Sequence, residues 1–88
     1  DLEGALIDIE YVLDILPGLP VALLERGFIR KLNGDVLGAR QDWEQIIKQA
    51  PSSEEAGAAR VRIKQLDKIT LLEAEKVQHI KKDYVLEK

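Results

Sequence analysis

The chain has 88 residues, enough for one small domain with a modest core. Apolar residues make up 45% and charged residues 33%, the balance of a folded protein, and the absence of cysteine excludes disulfide frameworks, zinc–thiolate sites and thiol catalysis. The net charge of −3 is unevenly placed: residues 1–19 carry Asp1, Glu3, Asp8, Glu10 and Asp14 with no lysine or arginine, while the rest of the chain is close to balanced, so the basic footprint of a nucleic-acid binder is missing. The longest uncharged stretch, Ile15 to Leu24, holds two prolines and is too short to span a bilayer, so no membrane insertion is expected. No signal peptide is recognisable. The lack of methionine points to a fragment of a longer product, and the lack of cysteine leaves the compartment open.

Leu2, Ala5, Leu6, Ile9, Val12, Leu13 and Leu16 recur at helical steps, with Asp1 as a cap ahead of them and Pro17-Gly18 as the stop. Pro20 suits the first turn of a second helix reaching about Leu32, and Asn33-Gly34 ends it. Asp35 caps a third helix running to about Gln49, which Ala50-Pro51 closes. Ser52 with Glu55 reads as a capping box for a fourth. From Ala58 onward there is neither glycine nor proline, and Leu66, Ile69, Val77, Ile80 and Tyr84 keep one helical stripe. Thr70 with Glu73 offers another capping box, so this stretch is predicted to break near Asp67 to Thr70 into two helices. No period-two pattern suggests a strand. The predicted fold is all-α.

A shift of 34 residues lays Asp1, Gly4, Ala5, Asp8 and Pro17 on Asp35, Gly38, Ala39, Asp42 and Pro51, and Ile9, Val12 and Leu13 on Trp43, Ile46 and Ile47. A 34-residue helix–turn–helix period resembles the tetratricopeptide repeat. In the one complete unit, residues 20–53, Leu23, Gly27, Ala39, Trp43 and Pro51 occupy the family's marked positions. Arg26 stands where the family has leucine, and Arg30 where it has an aromatic residue. The resemblance implies a partial right-handed α-solenoid in one domain, 1–88. Residues 1–19 would be the second helix of a truncated unit, 54–69 the first helix of a further or capping unit, and 70–88 a C-terminal capping helix.

Catalytic chemistry finds little support. His79 is the sole histidine and reads as a surface residue, so no metal set or histidine-based nucleophile system can be assembled around it. The carboxylate pairs Glu54/Glu55 and Asp42/Glu44 are too close in sequence to face each other on a helix. Ser52 and Ser53 are caps rather than nucleophiles, and Gly34 and Gly38 lack the spacing and lysine of a phosphate loop. No enzyme, cofactor or metal is expected. Trp43 reads as a buried wedge between helices.

The resemblance instead implies a binding module with its groove on the first helices of the units. By register the groove residues are Val21, Leu24, Phe28 and Lys31, then Glu55, Ala58, Arg62 and Gln65. Val21, Leu24 and Phe28 share one helix face, an apolar patch with charged neighbours. Leu24, Phe28 and Ala59 stand where chaperone-binding members hold a terminal carboxylate with polar residues, so an apolar or amphipathic peptide is expected rather than a free acidic C-terminus. The alternative is a structural capping or oligomerising segment with no ligand of its own. Two faces, Leu2–Ala5–Leu6–Ile9–Leu13 and Val77–Ile80–Tyr84, lack an evident cover, which predicts a homodimer.

Overall fold

A computed structural model describes the backbone of residues 1–86 and the side chains of residues 1–69 and 71–73. The Asp1 carboxylate accepts the Glu3 N–H at 3.1 Å and so caps α1 (Leu2–Ile15). Leu16 closes that helix, and Pro17, lacking an N–H, cannot extend it. Pro20 opens α2 (Pro20–Leu32), where a missing amide hydrogen removes no intrahelical bond. Beyond α2 the chain turns through Gly34 at φ +86°, a conformation that side chains with a Cβ rarely adopt. The Asp35 carboxylate then accepts the Gly38 N–H at 2.9 Å, capping α3 (Val36–Gln49). Last comes α4 (Glu54–Leu86), of 33 residues. Among the described residues there is no strand, and no helix is long and apolar enough to cross a membrane.

Two sequence expectations about α4 need correction. Its cap is Ser53, not Ser52: the Ser53 hydroxyl accepts the Ala56 N–H at 3.0 Å and donates to the Ala50 carbonyl at 2.7 Å. The position three residues after the cap is therefore Ala56, and there is no capping box. Nor does the helix break near residues 67–70. With no glycine or proline to interrupt it, the backbone ladder continues through Thr70, and a Thr–Glu pair inside a helix does not end it. The stripe Val77–Ile80–Tyr84 and His79 lie outside the described side chains.

The 34-residue sequence period has a backbone counterpart. Leu2 and Ile15, the ends of α1, fall on Val36 and Gln49, the ends of α3, while the start of α2 at Pro20 falls on the start of α4 at Glu54. The turns repeat as well. Leu16 N–H bonds to the Val12 carbonyl as Ala50 N–H does to Ile46, both at 2.8 Å, and Leu19 N–H bonds to Leu16 as Ser53 N–H does to Ala50. Each helix packs on the next in sequence, α2 also touches α4, and among the described residues the backbone of α1 comes close to neither α3 nor α4.

The core sits where α2, α3 and α4 meet. Leu23, Ala39, Trp43, Ile46, Ala56 and Ala59 are fully enclosed, with Leu13 entering from α1 and Leu66 closing the far side. Leu13 is thus buried and Ile9 packs on the core, so the α1 face expected to lie uncovered is partly sealed by α2 folding back on it. The most exposed apolar side chains of α1 are Ile7, Tyr11 and Ile15. Described residues beyond Leu66 are exposed.

Alanine and glycine allow the helices to approach. A Cβ on Gly27 would lie 2.7 Å from Cε2 and 2.8 Å from Cδ1 of the Trp43 indole, closer than real contacts permit. Gly27→Ala recovers about 1 kcal/mol of helix propensity but overpacks the site by about 1–3 kcal/mol. We expect a lower melting temperature together with altered tryptophan fluorescence, and a higher melting temperature would show that the indole can move aside.

Candidate functional site

Val21, Leu24 and Phe28 project from α2 at steps of three and four, and the packing of α4 beside α2 sets Ala58 and Arg62 against them. Two adjoining open cavities result. One, of about 400 Å³, is lined by Val21, Leu24, Glu25, Phe28 and Arg62; the other, of about 290 Å³, by Val21, Leu24, Glu54, Glu55 and Ala58. Val21 is 55% and Phe28 45% exposed, so large apolar surface faces solvent here. Lys31 is half-buried and Gln65 exposed, and neither lines the two cavities. Ala59 is fully buried in the core and so is not a groove position; Ala58 beside it is. Glu25 and Glu54 are not among the groove residues the register gives, although Glu25 lies four residues after Val21 and shares its face.

The groove floor is tied together at one backbone carbonyl. Leu24 O accepts the Trp43 indole N–H at 3.2 Å and an Arg62 N–H at 3.5 Å, joining α2 to α3 and α4. The Arg62 guanidinium carbon lies 5.6 Å from the Phe28 ring centroid and 5.8 Å from that of Trp43, within cation–π range of both. Arg62 therefore has its stem packed and its charge at the groove wall. Trp43 itself is buried under the groove rather than presented in it.

A second cluster explains the two arginines that depart from the repeat pattern. Asp42 of α3 is only 2% exposed. Arg26 donates from Nε at 3.0 Å and Nη2 at 2.8 Å to its two carboxylate oxygens, and Arg30 Nη1 lies 3.2 Å from each. The hydrogen bond to Asp42 holds the Arg26 guanidinium above its ordinary pKa against the opposing effect of burial, and the charges of Asp42 and Glu10 add to it. The carboxylate is held by four charge-assisted contacts and lines neither cavity, a structural brace between α2 and α3. Glu44 is exposed and pairs with Arg40 at 3.8 Å, so Asp42 and Glu44 form no acid–base couple. Arg40 also pairs with Asp67, linking α3 to α4.

Among the described residues no group of three or more histidines, aspartates or glutamates gathers in a metal-binding arrangement. Comparison with family models, with curated proteins and with solved structures finds no match to this chain.

Proposed function

We propose that this chain is a non-catalytic protein-interaction module of tetratricopeptide-repeat type, which holds an apolar or amphipathic peptide or helix of a partner protein in the groove between α2 and α4. The observation that carries this reading is the cluster of exposed Val21 and Phe28 with Leu24, set opposite Ala58 and Arg62 around two adjoining open cavities of about 290 and 400 Å³. An apolar floor supplies affinity through burial, and Arg62, Glu25 and Glu55 at the edge supply orientation. The 34-residue recurrence of helix ends and turn hydrogen bonds supports the repeat reading.

Panning a displayed peptide library against the chain tests it. We expect enriched sequences that share two or three apolar residues and whose binding drops at least about tenfold in Phe28→Ala, the size typical of a hot-spot aromatic. Because Phe28 is half exposed, that variant should keep the parent's helical content. No enrichment, or enrichment indifferent to Phe28→Ala, favours instead a structural end segment with no ligand of its own.

A further inference from the structure

On α3, the face formed by Ala39, Asp42, Trp43 and Ile46 is sealed in the core. From α2, Gly27 receives the indole and Arg26 and Arg30, one turn apart, grip the carboxylate. The 34-residue recurrence carries that face onto Ala5, Asp8, Ile9 and Val12 of α1, at the same azimuth of a helix with the same ends and the same turn bonds. On α1 it is open. Asp8 is exposed and forms no ion pair among the described residues, and Val12 is exposed where its counterpart Ile46 is completely enclosed. Alongside, Tyr11 and Ile15 are 68% and 63% exposed and occupy the positions of Gln45 and Gln49. Where α3 turns polar toward water, α1 stays apolar.

We propose that this face of α1 docks a partner helix of α2's own chemistry: amphipathic, with arginines one turn apart that close on Asp8, and with leucine and small residues that pack on Ala5 and Val12. Charge selects the sign of the partner, since Asp8 is the exposed charge on this face and residues 1–19 carry no base to offset it. A second α1 would set its own Asp8 against Asp8, a carboxylate facing a carboxylate, and supply no cation. A second copy's α2 cannot serve, because its Arg26 and Arg30 are already engaged by Asp42. The face is distinct from the α2–α4 groove and does not depend on it.

The test titrates a synthetic peptide with the sequence of residues 18–34 into the isotope-labelled full chain, followed by amide NMR shifts. We expect saturable changes confined to residues 4–16. Asp8→Ala in the chain should weaken binding at least about tenfold. The peptide carrying Arg26→Gln and Arg30→Gln should bind as weakly, and the two changes together should cost no more than either alone, as a direct pair requires. Asp8 is exposed, so its removal should leave the melting temperature unchanged. Phe28→Ala in the chain should leave peptide binding intact, which separates this surface from the groove. The proposal is overturned by the absence of shift changes, by changes centred on α3 because the peptide displaces α2, by equal binding of the arginine-free peptide, or by a chain that dimerises through this face in sedimentation and loses the dimer in Val12→Asp.

Discussion

Trp43→Ala should leave most of the chain unfolded at room temperature. The indole is fully buried, seated against Gly27, donating to the Leu24 carbonyl at 3.2 Å and covered by the Arg62 guanidinium. Truncating a large core aromatic costs about 3–5 kcal/mol, because the cavity left behind does not collapse fully. A chain of this length has a total stability on the order of 4–13 kcal/mol, and a core built partly of alanine belongs to the lower part of that range. Far-ultraviolet circular dichroism during a thermal melt reads the outcome directly. Trp43→Phe keeps a ring beside Gly27 and loses the indole donor, so it should fall between the parent and the alanine variant. Unchanged melting in Trp43→Ala would place the indole outside the core and make it a candidate contact residue.

Trp43 was legible in the sequence because two signals converge on it: the small residues Gly27 and Ala39, and the match to the 34-residue shift. The same holds for the ends of α1, α2 and α3, where proline, glycine and aspartate act through the backbone of their own neighbours. The groove was legible to the extent that Val21, Leu24 and Phe28 share one helix face. Their meeting with Ala58 and Arg62 followed from the repeat register, and the structure brings these five around adjoining cavities.

Less was legible where two local signals compete or where the partner is distant. Ser52 and Ser53 can each cap a helix, and the choice fell to the turn, in which Ser53 also reaches the Ala50 carbonyl. Thr70 with Glu73 resembles a helix start, yet nothing in the flanking residues terminates the helix before it. The cluster of Arg26, Arg30 and Asp42 joins residues 12 and 16 apart across two helices. Its only local trace is a pair of arginines four residues apart at positions where the repeat pattern expects apolar side chains. Each departure taken alone resembles a packing defect, and both are resolved by one carboxylate on the neighbouring helix.

That cluster makes the second large prediction. Asp42→Ala leaves two guanidinium groups, each three-quarters or more buried, without their shared buried acceptor; Arg30 keeps only the exposed Asp35 carboxylate at 4.0 Å. Removing one member of a buried charge cluster costs about 3–5 kcal/mol, most of it from the charges left unpaired. Asp42→Asn should lose nearly as much, because the amide has one acceptor oxygen where the carboxylate uses two. Arginine titrates above the neutral range and Arg26 is raised further, so its contribution, complete below the unfolded value and lost only as pH rises through the folded one, stays constant around neutrality. The informative comparison is the triple variant Arg26→Leu, Arg30→Tyr, Asp42→Ala, which puts the residue types of the repeat pattern at 26 and 30 and removes the carboxylate they hold. Apolar replacement of a whole buried ionic cluster is often neutral or stabilising by about 1–4 kcal/mol. Urea unfolding should therefore show the single Asp42 variants strongly destabilised and the triple variant restored to the parent's midpoint or beyond. A triple variant as unstable as Asp42→Ala would mean that α2 and α3 need the charges themselves to hold their relative orientation, and that the arginines are an integral part of this interface rather than a substitute for apolar packing.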